Sequence, residues 1–216
     1  MSGERPMLAI TMGDVNGVGP EILAKALARP EPWHCCTPVV VGSMRAYVRA
    51  CERVPGAPPA ELLADARDLR CAKGRVAFIN AGHEGPEMRP GVLDPEAGRC
   101  AIEWVKHAVR LAVEGIVDGM VTCPISKECV HRAGIACSGH TDLIAEMTGS
   151  RDYRMCLFTD TMRIVHITAH LSLRDALDAV KADRIAASIR IGHDALRRMG
   201  FARPRIAVAG LNPHAG

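Results

Sequence analysis

Short apolar runs alternating with amphipathic stretches predict an α/β protein with a largely parallel sheet. Three observations carry that expectation. β-Branched runs of four to six residues recur along the chain, loops rich in Gly and Pro follow them, and stretches with apolar residues at three- and four-residue steps separate them.

Met7 to Met12 reads as the first strand, and the glycine-rich stretch after it leads into a helix opening at Pro20. Pro38 to Gly42 reads as a second strand, with Ser43 placed to cap the next helix. Gly56 to Ala60 reads as a Pro-rich turn and Arg75 to Ile79 as a third strand. Residues 80–95 form a long loop of the kind that is often functional. Ile102, Val105, Val109, Ala112 and Ile116 mark a long amphipathic helix, ended by Gly115 or Gly119, with Asp118-Gly119 as a turn. Gly119 to Cys123 is a fourth strand, and two short helices flank a Gly139-His140-Thr141 turn. Met155 to Thr159 and Arg163 to Ala169 form an expected hairpin, which makes part of the sheet antiparallel. A helix carrying Ile185, Ile189, Leu196 and Met199 precedes a last strand starting at Arg205. The chain then stops in a loop with no covering helix, as expected of a truncated version of a longer protein.

Composition narrows the function classes. The formal net charge is +3 over 216 residues, and no basic stripe with interleaved aromatics is present, so nucleic acid is not an expected partner. No run approaches the roughly 18 apolar residues of a membrane helix, and no signal peptide is visible, so no membrane association is expected. Nine cysteines without a C-x-x-C pair exclude zinc-ribbon and thioredoxin-like readings. They fit buried thiols in a reducing cytoplasm.

Four segments carry candidate chemistry. Gly13-Asp14-Val15-Asn16-Gly17-Val18-Gly19-Pro20 allows close approach of a ligand, or is simply a tight turn. Thr122-Cys-Pro-Ile-Ser-Lys127 places a lysine where the helix dipole disfavours it, which suits an anionic partner; a solvated lysine is the bland alternative. Ser138-Gly-His-Thr-Asp142 offers His140 and Thr141 as donors, or a Thr141 helix cap. Finally, two apolar runs each deliver a histidine, His170 and His214, just past a strand end, where open α/β sheets bind ligands. Imidazole is the commonest protein ligand for transition metals, so both rings could share one divalent ion. Arg174, one turn after His170, could meet an anionic substrate or pair with Asp175 or Asp178. His166 reads as a core or face residue, and His34, His83, His107, His131 and His193 as ordinary.

Together, Thr11–Glu21, Thr122–Lys127, Gly139–Asp142, Thr168–Asp175 and Gly210–Gly216 resemble, in order, the motifs of the 4-hydroxythreonine-4-phosphate dehydrogenase family of pyridoxine biosynthesis. The resemblance implies a fold like that of isocitrate and isopropylmalate dehydrogenases, with two α/β domains around a mixed, largely parallel sheet. The first domain is expected over 1–124 and the second over 125–216, both incomplete. It implies a homodimer with its active site at the subunit interface. The implied reaction is oxidation of a secondary alcohol on a phosphorylated four-carbon acid by NAD or NADP, followed by loss of carbon dioxide.

By the same resemblance, His140 and Thr141 bind substrate, with Lys127 as a further anchor, and His170 and His214 bind a divalent cation (zinc, magnesium, manganese or cobalt). A third metal histidine and further substrate and nucleotide contacts are expected beyond Gly216. Two departures stand out: Val15-Asn16 where relatives have Pro-Ala, and Ser172 where proline is usual. They leave open a paralogue acting on threonate or erythronate 4-phosphate, or on a cis-dihydrodiol dicarboxylate. A metal-dependent phosphohydrolase and a non-catalytic fragment are the alternatives of another class.

Overall fold

A computed structural model describes residues 5–63, 74–79, 81–82, 84–137 and 139–215. His83, Ser138 and Gly216, all named above, lie outside the described residues. The chain divides into two compact units, Met1–Ser150 and Arg151–Gly216.

The first unit is built on one parallel sheet. Its strands are β1 (Met7–Thr11), β2 (Thr37–Val41), β3 (Ala60–Leu63), β4 (Val76–Ile79) and β5 (Gly119–Thr122), in the order β3-β4-β2-β1-β5. β4 is buried throughout and β2 from Pro38 onward, which is why both read as continuous apolar runs rather than alternating ones. α1 (Gly19–Leu27) packs against α3 (Met44–Cys51), while α4 (Pro95–Val113) lies against β1, β2 and β5. α2 (Pro30–Cys35) joins α1 to β2. α5 (Lys127–Arg132) and α6 (His140–Met147) both pack on α4.

Local chemistry sets these boundaries. Ser43 accepts from the Ala46 N–H and so caps α3. Asp94 accepts from the Glu96 N–H, and Pro95 follows at the first helical position of α4. Gly115, at φ +70°, ends α4, so Ile116 falls outside the helix its spacing suggested. Asp118 is not a turn residue: its carboxylate accepts from the Met7 N–H at 2.7 Å, and its own N–H donates to the Met7 carbonyl, starting the β1–β5 pairing. β3 is absent from the sequence reading because Ala60-Glu-Leu-Leu has no β-branched residue; its pairing with β4 decides it. The core gathers Trp104, Tyr47, Phe78 and the β2 valines, with the Tyr47 and Phe78 rings 5.0 Å apart.

In the second unit, β6 (Cys156–Phe158) and β7 (Arg163–Val165) form a separate antiparallel hairpin. α7 (Leu173–Ala179) and α8 (Ala182–Arg198) follow. β7 stops four residues before the expected Ala169, since the Ile167 carbonyl accepts from the Arg184 Nε–H at 2.7 Å rather than from a strand. The run from Arg205 to Gly210 is not a strand; no neighbouring strand among the described residues supplies its hydrogen bonds. Ser188 and Gly192 are the buried residues of this unit, and no apolar side chain among its described residues is buried.

Of the described cysteines, Cys36, Cys100, Cys123 and Cys129 are buried as expected, whereas Cys35 and Cys156 are exposed. No helix among the described residues is long and apolar enough to cross a membrane.

The tightest helix contact is α4 on α5. A Cβ on Gly98 would lie 2.4 Å from the Cys129 carbonyl carbon, a backbone atom that cannot swing away. Gly98→Ala is expected to destabilise the protein by about 1–3 kcal/mol, the range typical of overpacking, read as a lowered urea midpoint at unchanged m-value.

Candidate functional site

The loops at the carboxyl ends of β1 and β5 are the first place to look, because β1 is where the strand order reverses. They are pressed against each other. The Cys123 N–H donates to the Thr11 carbonyl, and the Asp14 N–H to the Pro124 carbonyl at 3.1 Å. A Cβ on Gly13 would sit 2.3 Å from the Pro124 oxygen, and one on Gly19 would sit 2.0 Å from the Met12 oxygen. These two glycines are therefore needed by the protein's own backbone, and the tight-turn reading explains them without a ligand.

Asn16 is buried in this loop, 3% exposed. Its Oδ1 accepts from the Arg89 N–H at 2.6 Å, and its carbonyl accepts from the Gly91 N–H at 2.8 Å. Farther along the same segment, Glu84 accepts from the Arg45 N–H at the start of α3, and Arg49 donates to the Met88 carbonyl. Residues 84–94 are thus fastened across the sheet edge. The sequence marks this stretch only as a long loop, since no local signal reports a contact between positions 16 and 89.

Lys127 is the first residue of α5, exposed and without an ion pair among the described residues. Ser126 before it accepts from the Cys129 N–H at 3.2 Å, confirming the expected cap. His140 opens α6, so Thr141 is the second helical residue and not its cap; Gly139 holds the cap position and offers no side chain. The cap residue itself therefore accepts, through a side chain, from none of the first-turn N–H groups of α6. His140 is half-buried, and its Nε2 is sealed from solvent with no hydrogen-bond partner among the described residues. Burial holds the imidazole pKa below its usual range, which keeps the ring neutral near pH 7. A neutral imidazole carrying its proton on Nε2 is a ready donor to an anionic oxygen.

His170 and His214 share an unusual backbone. Among the described residues they are the two non-glycine positions with positive φ, at +58° and +59°. Both are exposed. His170 lies between β7 and α7, and His214 lies in a short turn spanning Pro213–Ala215. The left-handed region is uncommon for residues with a Cβ, and strain of this kind clusters where a side chain must be held for a ligand. Ser172 caps α7, accepting from the Asp175 N–H while its hydroxyl donates to the Asp175 carboxylate at 2.7 Å. Asp175 is thereby occupied, and Arg174 makes no ion pair with Asp175 or Asp178.

Lys127, His140 and Thr141 belong to the first unit, and His170 and His214 to the second. No cluster of three or more His, Cys, Asp or Glu groups able to hold a metal ion occurs among the described residues.

Comparison with known proteins assigns the family. The model of the pyridoxal phosphate biosynthetic protein PdxA matches residues 34–216. The chain belongs to the PdxA family. It is 40% identical over 213 residues to a D-threonate 4-phosphate dehydrogenase of Pectobacterium atrosepticum, covering 97% of this chain and 65% of that protein. It is 38% identical over 216 residues to a 4-hydroxythreonine-4-phosphate dehydrogenase of Desulfosudis oleivorans, covering 98% of this chain and 63% of the relative. A crystal structure of a 4-hydroxythreonine-4-phosphate dehydrogenase from Burkholderia phymatum superposes with a TM-score of 0.87 at 34% identity, covering 99% of this chain and 65% of the other. The chain spans about 65% of the length of the curated relatives it matches.

As a PdxA-family chain, its donor set suits a metal in part. Two exposed imidazoles on strained backbone are nitrogen donors of the kind a transition metal takes, and further ligands are not supplied by a cluster among the described residues.

Two outcomes follow from this geometry. The His140 imidazole is expected to titrate below 6.5 by NMR. Because its folded pKa is depressed, the unfolded chain binds more protons below that value, so His140 lowers stability as pH falls through 6.5 and is without effect above it. At positions 170 and 214, glycine removes the positive-φ strain that alanine keeps. His170→Gly is expected to be more stable than His170→Ala by about 1 kcal/mol, after allowing for glycine's greater unfolded-state entropy, as read by thermal unfolding.

Proposed function

We propose that this chain represents a dehydrogenase of phosphorylated four-carbon hydroxy acids. D-threonate 4-phosphate is the first candidate substrate and 4-hydroxythreonine 4-phosphate the second. The observation that carries the reading is the left-handed backbone at both His170 and His214, the two positions the family resemblance assigns to metal. The similarity to dehydrogenases named for these two substrates supports the substrate class.

The roles divide by charge. His140 donates from its imidazole, Thr141 from its hydroxyl, and the first turn of α6 from its backbone. These groups, with the positive Lys127, bind and orient the phosphate. His170 and His214 would hold a divalent cation, and imidazole donors favour zinc or cobalt over magnesium or manganese. The chemistry such a cation would supply there is polarisation of a substrate hydroxyl oxygen. NAD or NADP would supply the hydride acceptor, and a β-keto acid product would be prone to lose carbon dioxide. The cysteine usage of the sequence supports a reducing, cytoplasmic setting. The active protein is a homodimer.

The test pairs binding with turnover. Cobalt titrated into the protein is expected to give ligand-field bands that weaken with His170→Ala or His214→Ala, each lowering affinity at least about tenfold, or ~1.4 kcal/mol. D-threonate 4-phosphate is expected to bind in the presence of metal and to drive nicotinamide reduction, and unphosphorylated threonate to bind far more weakly. Equal binding of the two acids, or phosphate release without nicotinamide reduction, would sink the reading.

A further inference from the structure

We propose that Arg184 is a positioning residue for His170, acting through the Ile167 carbonyl. The proposal rests on the reading of His170 as a metal ligand and names what holds that side chain in place.

The segment between β7 and α7 has few fixed points. At its start the His166 N–H donates to the Met155 carbonyl at 3.0 Å. At its end Ser172 caps α7. Between them, one hydrogen bond from the described residues reaches the backbone of residues 167–171. It runs from Arg184 Nε–H to the Ile167 carbonyl, at 2.7 Å and 17 positions away in sequence. His170 follows Ile167 by three residues, at φ +58°. A left-handed backbone on a residue with a Cβ persists only where its surroundings over-determine it.

The place of Arg184 runs against local preference. It is the third residue of α8, where the helix dipole disfavours a cation. Among the described residues, the ion pairs of this unit join Arg154 to Asp152 and His193 to Asp194, and Arg184 is in neither. The bond to the His170 segment is what its side chain does.

Arg184 is itself held. The Ser188 hydroxyl donates to the Arg184 carbonyl at 2.8 Å and accepts from Arg154 Nε–H at 2.7 Å. Ser188 is 4% exposed, and the Arg154 side chain is 8% exposed with Asp152 as its ion-pair partner. A buried serine and a buried guanidinium thus pin the first turn of α8. A polar spine through Asp152, Arg154, Ser188, Arg184 and Ile167 ends at the His170 segment. This unit has no buried apolar side chain among its described residues to fix that segment by packing.

Two substitutions separate the donor from the rest of the side chain. Glutamine puts its amide nitrogen where Arg184 has Nε and keeps a donor there without the charge. Methionine keeps the length and loses the donor. In metal-free protein, Arg184→Met is expected to speed amide hydrogen exchange over 168–171 about tenfold, as loss of one hydrogen bond from a charged group implies. Arg184→Gln is expected to lie nearer the parent than to Arg184→Met. In a cobalt titration, Arg184→Met is expected to weaken binding about tenfold, the lower end for a residue that orients a metal ligand. In a His170→Ala background it is expected to have no further effect, since the side chain it orients is gone.

Exchange over 168–171 that Arg184→Met leaves unchanged, or that both substitutions speed equally, overturns the proposal. So does a loss of cobalt affinity that is the same with and without His170. Cobalt binding indifferent to His170→Ala overturns the metal reading instead, and the exchange comparison then decides by itself whether Arg184 holds the segment. Should Arg184→Met fail to fold, nitrogen-15 NMR of the unaltered chain serves. An Arg184 Nε–H protected from exchange supports the proposal, and one that exchanges like a free guanidinium overturns it.

Discussion

Backbone meeting backbone without room for a side chain is the constraint on which the first unit depends. It operates where Gly13 meets Pro124, where Gly19 meets Met12, and where Gly98 meets Cys129. The first contact locks the loops after β1 and β5 together, and the second turns the chain into α1. The third brings α5 down onto α4, which fixes where Ser126 and Lys127 emerge. None of these contacts is strong in itself. Their effect is geometric, because close-packed interiors transmit a displacement of even one methyl group.

The second unit rests on a different principle. Its elements are held by polar ties: Arg154 to Ser188 at 2.7 Å, Arg184 to the Ile167 carbonyl, and the Ser172–Asp175 cap. Such ties orient elements but contribute little net stability each, roughly 0.5–1.5 kcal/mol. Against that background, two strained histidines are a substantial local cost, of order 1–3 kcal/mol each. A unit with no buried apolar side chain among its described residues has little reserve from which to offset it. Occupancy of these imidazoles by a ligand would do so, since binding to the folded state stabilises it by mass action.

Much of the fold was legible in the sequence, and the misses have physical causes. Strands β1, β2, β4 and β5 announce themselves by β-branched runs, and α4 by its apolar spacing with Asp94-Pro95 at its start. β3 is decided by its neighbour β4 and not by its own residues, so propensity could not find it. The run at Arg205 fails in the opposite sense: its composition is that of a strand, but a strand exists only when paired. For the site, residue types flagged Lys127, His140, His170 and His214, while conformation supplied what composition could not. The positive φ at the two histidines and the sealed Nε2 of His140 are properties of folded surroundings. Asn16 stands in the glycine-rich segment and among the departures from relatives, but its grip on Arg89 spans 73 positions of sequence and leaves no local trace.

The Ser172–Asp175 cap has an electrostatic consequence. By engaging the aspartate, it leaves the Arg174 guanidinium at the start of α7 without an ion pair among the described residues, four positions from His170. An unpaired, exposed cation is felt over a Debye length of about 8 Å at physiological ionic strength. Asp175, next in the chain, keeps its negative charge inside that distance, so the field around this loop is mixed in sign and weakens as salt is added.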